Sequence, residues 1–122
     1  MLTGAAGQIN GTIARKKKRL RFPESPDGRS IAYNFESLDI NATERKLNAF
    51  YAEFEPISSE KEKPHQHPGV KLLYLLSGKL DLTIGSETFN LESGDAAYFD
   101  SGVRHSYHRA SKTPCTGVIV TA

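Results

Sequence analysis

The chain lacks the features that mark secreted, membrane-spanning and disulfide-stabilised proteins. Cys115 is its single cysteine, so no internal disulfide can form and a reducing compartment is the natural setting. No run approaches the roughly 18 apolar residues of a membrane span. Residues 1–13 have neither the basic start nor the strongly apolar centre of a secretory signal. We therefore expect a cytoplasmic protein, and its 122 residues suit one domain with a continuous core.

Several catalytic signatures are also missing from the sequence. It contains no Ser-His-Asp order, no glycine-rich phosphate loop and no CxxC pair. Nucleophilic, nucleotide-dependent and dithiol redox chemistry are therefore not expected.

Positive charge is concentrated in one segment. Residues 1–22 carry a net charge of +6 with no acidic side chain, whereas the remaining 100 residues hold 10 basic and 14 acidic side chains, a net charge of −4. Nucleic-acid-binding surfaces are basic, whereas residues 23–122 have a net negative charge. We therefore predict no specific nucleic-acid binding by this chain alone. The basic run at 15–21 could contact phosphate, link the body to a DNA-binding module, or form a solvated edge strand.

Turn residues at 23–28 separate a basic N-terminal segment, 1–28, from a predicted β-barrel domain, 29–122. Within that domain, runs rich in β-branched and aromatic residues predict strands at 31–38, 47–54, 70–76, 79–84, 88–91, 96–99, 105–109 and 117–121. Gly78 and Gly85 bracket the strand at 79–84, as tight turns between antiparallel neighbours would. This spacing favours an antiparallel barrel or sandwich. One short helix is conceivable at 42–46, but we favour a loop there.

All four histidines fall in two short segments. His65 and His67, two residues apart on an extended chain, point to the same face within reach of one metal ion. Such a pair alone is more often a surface or core feature, but His105 on a neighbouring strand can supply a third imidazole. By strand parity His108 points away from that face.

Both segments carry a family resemblance. The stretch from Pro64-His65-Gln66-His67 to Gly78 resembles the first cupin motif, and Gly94-Asp95 to His105 resembles the second. The resemblance implies an all-β double-stranded β-helix, the cupin jelly-roll barrel. It also implies that His65, His67 and His105 meet in an inner cavity and bind a divalent metal such as Zn, Ni, Fe or Mn.

A narrower resemblance extends upstream of the first motif. Residues 33–38 and 46–51, together with the basic run, are similar to the cupin sensor half of XRE-type (helix-turn-helix) bacterial transcription regulators. In such proteins a helix-turn-helix module precedes a cupin that binds a small effector. No amphipathic helical pattern occurs in the first 45 residues, so that module is absent from this sequence, and the chain is either a stand-alone relative or part of a longer regulator.

Lys71 departs from the cupin pattern, because the first motif has a glutamate at this position. Lys71 is an even number of residues from His65 and His67. On a continuous strand its side chain therefore points to the same face, into the same cavity, unless a bulge intervenes. An ammonium about 4 Å from a divalent ion is repelled by roughly 8 kcal/mol at an effective dielectric constant of 20. Therefore Lys71 is deprotonated, or turns toward the cavity mouth, or the metal is absent.

The predicted function is binding of a small molecule, which the Lys71 ammonium would favour as an anion. Lys71, Tyr98 and Tyr107 are the candidate ligand-binding residues, although aromatic residues on such strands are more often core. The resemblance makes the chain the effector-sensing domain of a regulator, and exposed sheet edges favour a homodimer. The alternatives are a metal-dependent enzyme (an oxygenase, isomerase or lyase) and a partner-binding module without ligand chemistry. Loss of the motif's carboxylate favours a binding protein over an enzyme.

Overall fold

The described residues are mostly in β-strands. The computed structural model describes residues 11–19, 21–23, 33–39, 41–42, 45–56 and 66–122. The described part contains a short 3-10 helix at Lys16–Lys18. Its strands are β1 (Arg21–Pro23), β2 (Tyr33–Ser37), β3 (Asn48–Phe54), β4 (Val70–Ser77), β5 (Lys79–Ile84), β6 (Glu87–Glu92), β7 (Ala96–Asp100), β8 (His105–Arg109) and β9 (Cys115–Thr121).

The strands form two antiparallel sheets that face each other. The six-stranded sheet has the order β1-β2-β3-β9-β4-β7, and the three-stranded sheet has the order β6-β5-β8. In the larger sheet β9 lies between β3 and β4, where Thr121 is paired with Asn48 on one side and Lys71 on the other. This arrangement of two antiparallel sheets confirms the predicted all-β jelly roll.

The predicted strands agree closely with the observed ones. The eight predicted runs each coincide with one of β2 to β9 to within a few residues, because their turn residues and alternating apolar residues are both strong signals. Around the conceivable helix at 42–46, the described residues 41–42 and 45–46 are not helical, and residues 43–44 lie outside the described part. Within the described residues, no helix is long and apolar enough to cross a membrane.

Alternate residues of both sheets form the core between them. In β4 the side chains of Lys71, Leu73 and Leu75 are buried, whereas Leu72 and Tyr74 are exposed on the opposite face. The buried apolar residues of this core are Ala52, Phe54, Leu73, Leu75, Leu80, Leu82, Leu91, Phe99, Tyr107, Cys115 and Ile119. Lys71 and His105 are therefore polar residues at positions that the strand pattern assigns to the core.

Gly78 makes the turn between the two sheets possible. It joins β4 to β5 with a φ of +81°, a conformation that side chains with a Cβ rarely adopt. A Cβ at this position would also lie 2.7 Å from the carbonyl oxygen of Pro114. The expected turn is present at this glycine, but it joins strands of different sheets, not antiparallel neighbours as predicted.

Candidate functional site

A cavity of about 360 Å³ opens on the inner face of the six-stranded sheet, at the end where β4 begins and β9 finishes. Its polar lining residues are Asn48, His67, Lys71, Ser101 and Thr121. Its apolar lining residues are Phe35, Phe50, Pro68, Ile119 and Ala122. The cavity thus has an apolar wall on β2, β3 and β9 and a lysine among its polar lining residues.

Lys71, one of the residues that line the cavity, connects the two sheets. Its side chain crosses from β4 to β8, where Nζ lies 3.0 Å from His105 Nε2 and donates a hydrogen bond of 3.1 Å to the Tyr107 hydroxyl oxygen. The ammonium also lies 5.5 Å from the centre of the Tyr107 ring, within the range of a cation–π contact. Lys71 is 2 % exposed, and His105 and Tyr107 are each 1 % exposed. Lys71, His105 and Tyr107 are called the lysine triad below.

The hydrogen bonds of His105 define its tautomer. Its Nδ1 lies 2.8 Å from the carbonyl oxygen of Val103. A carbonyl oxygen only accepts, so Nδ1 carries the proton and Nε2 presents its lone pair to the Lys71 ammonium. Burial lowers the pKa of His105 to about 4; the hydrogen bond to the Val103 carbonyl opposes this shift, and the charges of Lys71 and His67 add to it. His105 is therefore neutral at pH 7.

His67 lies at the cavity wall beside the lysine triad. Its ring centre is 5.2 Å from that of His105, and the two rings meet edge to face. Burial, followed by the charge of Lys71, lowers the pKa of His67. The amide of His67 donates to the carbonyl oxygen of Ser101, which joins the chain before β4 to the chain after β7.

The structure brings together some of the residues singled out in the sequence. Lys71, Tyr107, His67 and His105 lie close to one another, and His65 lies outside the described residues. The partner of His108 in the β5–β8 pairing is Asp81, on the face of the smaller sheet opposite to His105.

The structure places Tyr98 outside the cavity. Phe99, not Tyr98, is paired with Lys71, so Phe99 faces the core, where its ring centre lies 5.0 Å from that of His105. Tyr98 lies on the outer face of the larger sheet and is 73 % exposed. The expectation that Tyr98 contacts a bound ligand is corrected for this reason.

Sequence reasoning missed the apolar wall and the polar groups near it. Phe35, Phe50 and Ile119 line the cavity together with Asn48 and Thr121, yet none belongs to either histidine segment. Strand parity places Phe50 and Ile119 on buried faces. Only the pairing of β3 with β9 shows that they lie opposite each other, beside Lys71.

The described side chains do not fit a metal ion while Lys71 keeps this position. The Nε2 lone pair that would bind a metal at about 2.0–2.1 Å is directed at the Lys71 ammonium. Among the described residues there is no group of three His, Cys, Asp or Glu side chains that could hold a metal. The three-histidine set predicted in the sequence includes His65, so the described residues contain two of its members.

Comparison with known proteins identifies the type of domain. Residues 50–121, more than half of the chain, match the Cupin_2 family model, described as a cupin domain. An uncharacterized protein of Streptomyces coelicolor is 28 % identical over 69 residues, which cover 57 % of this chain and 64 % of that protein.

Solved structures show the same fold at low sequence identity. The Fe(II) form of HppE superposes with a TM-score of 0.76 and 17 % identity, over 94 % of this chain and 62 % of that one. An RmlC-like cupin from Shewanella frigidimarina superposes with a TM-score of 0.69 and 12 % identity, over 91 % of this chain and 89 % of that one. The chain spans less than two thirds of the length of HppE and of the Streptomyces relative.

Proposed function

This chain belongs to the cupin domain family, and we propose that it binds a small organic molecule in the cavity beside the lysine triad. The observation that carries the proposal is the cavity itself, which combines an apolar wall with the buried ammonium of Lys71. Concave, largely apolar cavities with a few converging polar groups are typical of small-molecule sites. Lys71, which lines the cavity, and Tyr107, its hydrogen-bond partner, are the proposed binding residues.

We further propose that the domain senses an effector for a transcription regulator in the cytoplasm. Residues 29–122 would be the sensing domain and 1–28 the basic segment that precedes it. The contacts of Arg19 support this role, because its guanidinium forms a 2.7 Å ion pair with Glu36 and lies 4.9 Å from the centre of the Tyr51 ring. Glu36 and Tyr51 are the chain neighbours of Phe35 and Phe50, which line the cavity. The basic segment is thus anchored to the strands that a ligand would contact.

A homodimer belongs to the same proposal. β7 is the last strand of the larger sheet and is hydrogen-bonded to β4 on one side. Its outer face carries the exposed Tyr98 beside Leu72 of β4. Edge strands and apolar faces of this kind favour pairing with a second copy.

The metal-dependent enzyme remains the alternative, and its support is the likeness to the Fe(II) form of HppE. At 17 % identity that likeness concerns the fold, and jelly rolls host many unrelated functions. The position of Lys71 against His105 favours a binding domain, because the ammonium and a divalent ion repel each other at this distance.

Removing one ring from the cavity wall should weaken ligand binding. We expect Phe50→Ala to bind a ligand found by screening small organic molecules about fivefold more weakly, since losing about 1 kcal/mol of apolar contact changes an equilibrium by that factor. Amide chemical shifts in NMR titrations of the wild type should change at cavity residues such as Thr121 and Ser101. Phe89→Ala, the same change at an exposed position of the smaller sheet, is the matched control. Ligand shifts confined to residues away from the cavity would contradict the proposal.

The chain alone should not bind DNA with sequence specificity. Residues 23–122 have a net charge of −4. Any DNA binding should therefore come from the basic run at 15–21, and its affinity should fall steeply with salt concentration. Fluorescence anisotropy with labelled duplexes of different sequence, between 50 and 200 mM salt, measures this. Replacing Lys16, Lys17 and Lys18 by Gln should remove most of the binding at low salt. Markedly tighter binding of one duplex than of the others at physiological salt would show the prediction to be wrong.

A further inference from the structure

We propose that two copies of this chain pair through the outer face of the larger sheet, so that the basic residues 15–19 of each copy lie against the acidic β7 side of the other. This inference rests on the homodimer of the proposed function, because it names the surface and the orientation of that dimer. It also gives the basic segment a partner of opposite charge in a second copy of the chain.

The centre of the outer face is apolar and exposed. Leu72, Tyr74 and Leu76 of β4 are each at least 40 % exposed, and Tyr98 of β7 is 73 % exposed. The face continues on β9, where Val118 is paired with Tyr74. Contiguous exposed apolar patches of this kind mark protein–protein contacts. An uncharged patch suits a second copy, since the same surface must match itself across a two-fold axis.

Opposite charges lie on the two sides of this apolar centre. On one side, Arg19 packs over the Tyr51 ring of β3, and it directly follows the exposed 3-10 helix Lys16–Lys18. On the other side, β7 begins after the exposed Asp95 and ends at the exposed Asp100. β9 and β4 separate β3 from β7. The face is therefore basic at one side, apolar in the middle and acidic at the other side.

A two-fold axis parallel to the strands brings these opposite charges together. Rotation by 180° about such an axis exchanges the two sides of the face and preserves the position along the strands. The levels also match, because the register from Tyr51 through β9 and β4 leads to Ala96, the residue after Asp95. An axis perpendicular to the strands would instead set β7 against the β7 of the partner, and like charges facing each other disfavour an interface.

The face has the extent that a stable dimer needs. With strands about 4.8 Å apart and about 3.3 Å per residue, the outer face from β2 to β7 measures roughly 25 by 20 Å. Stable interfaces bury about 800 Å² of accessible surface on each partner. The side chains of this face, with the charged segments at its sides, supply a surface of that order. An apolar centre with a polar rim is the usual composition of such interfaces.

Exchanging the two charged sides tests the orientation. One variant replaces Lys16, Lys17 and Lys18 by Glu, and a second replaces Asp95 and Asp100 by Lys. Each variant alone sets like charges against each other, whereas an equimolar mixture restores both attractive contacts. By analytical ultracentrifugation at low salt, we expect each variant alone to have a dimer Kd at least tenfold above that of the wild type. Native mass spectrometry of the mixture should show the mixed dimer in excess over both homodimers.

Tyr74→Lys tests the apolar centre of the face. A charge placed there would be buried without a partner, so the dimer Kd should rise at least tenfold. Phe89→Lys, the same kind of change at an exposed position of the smaller sheet, is the matched control and should keep the wild-type Kd. Asp95 and Asp100 also accept hydrogen bonds from backbone amides. If their replacement prevents folding, Tyr74→Lys and the triple lysine variant still decide the question.

Tyr98→Cys separates pairing of faces from pairing of β7 edges. In the proposed dimer the two copies of residue 98 lie on opposite sides of the axis, in sheets about 10 Å apart, which is too far for a disulfide. Pairing of two β7 edges would place the middle of this strand beside its copy. A disulfide-linked dimer of Tyr98→Cys under oxidising conditions would therefore overturn the inference. The wild type, whose Cys115 is 2 % exposed, is the control.

The outcomes separate this inference from the proposed function. A wild-type dimer that Tyr74→Lys leaves intact, or a mixture with no excess of mixed dimer, would overturn the proposed face and orientation and leave a homodimer in place. A wild type that stays monomeric up to its solubility limit would overturn the inference and the homodimer together. Ligand binding in the cavity is decided separately, by the Phe50→Ala titration.

Discussion

The Lys71→Glu variant should bind Ni²⁺ or Zn²⁺ at least a hundredfold more tightly than the wild type. The substitution removes an ammonium that lies 3.0 Å from His105 Nε2, and it frees that lone pair for a metal. It also supplies a carboxylate oxygen, which together with imidazole nitrogens makes a ligand set that these ions accept. Restoring glutamate gives the chain the residue that the first cupin motif has at this position.

Coulomb's law indicates the size of this effect. A unit charge about 4 Å from a divalent ion contributes roughly 8 kcal/mol of repulsion at an effective dielectric constant of 20. A hundredfold change in affinity corresponds to about 2.7 kcal/mol, which is well below this repulsion.

Titration calorimetry with chelator-treated protein would measure this change directly. Lys79→Glu is the matched control, because it makes the same change of charge on an exposed strand position of the smaller sheet. This control separates the local ligand from the altered net charge of the protein. Equal metal affinities in the wild type and Lys71→Glu would mean that Lys71 does not compete with a metal for His105 Nε2.

The fold was predictable because its signals are local. Alternation of Leu80, Leu82 and Ile84 with polar residues, bounded by Gly78 and Gly85, specifies a half-buried strand without reference to any distant residue. The observed strand is Lys79–Ile84, as predicted.

The candidate site was predictable only in part, because it depends on register and on side-chain direction. The alternation of side chains along the strand placed Lys71 on the inner face. The sequence left open whether its amine turns to the cavity mouth. The contact with His105 on β8, 34 positions later in the chain, settles that direction. The pairing of Phe99 with Lys71 likewise decides which of two adjacent aromatic residues faces inward, and Tyr98 was assigned to the cavity because the sequence does not contain this register.

Acidification should destabilise the protein through His105. Burial lowers the pKa of this imidazole to about 4 in the folded chain, against 6.5 for an unperturbed histidine. Between these two pH values the unfolded chain binds more protons than the folded chain, so the free energy of unfolding rises with pH in this window. The contribution is fully present above pH 6.5 and is lost as the pH falls to about 4. The lowered pKa of His67 acts in the same direction.

Each unit of pKa difference corresponds to 1.36 kcal/mol, so His105 should account for a loss of about 3 kcal/mol over this window. Urea unfolding at several pH values from 7 to 4 measures the loss. Carboxylates also titrate at the acid end, so the decisive quantity is the difference between the wild type and His105→Gln. A glutamine cannot be protonated in this range, and its side-chain oxygen can still accept a hydrogen bond from Lys71.

His108→Gln is the matched control, since it makes the same change on the opposite face of β8. We expect the dependence of stability on pH to be much weaker in His105→Gln and close to that of the wild type in His108→Gln. If His105→Gln and the wild type lose the same free energy of unfolding between pH 6.5 and pH 4, His105 is not a neutral buried imidazole held between Val103 and Lys71. The protonation state assigned to the lysine triad would then be wrong, because a charged His105 could not accept a hydrogen bond from the ammonium at Nε2.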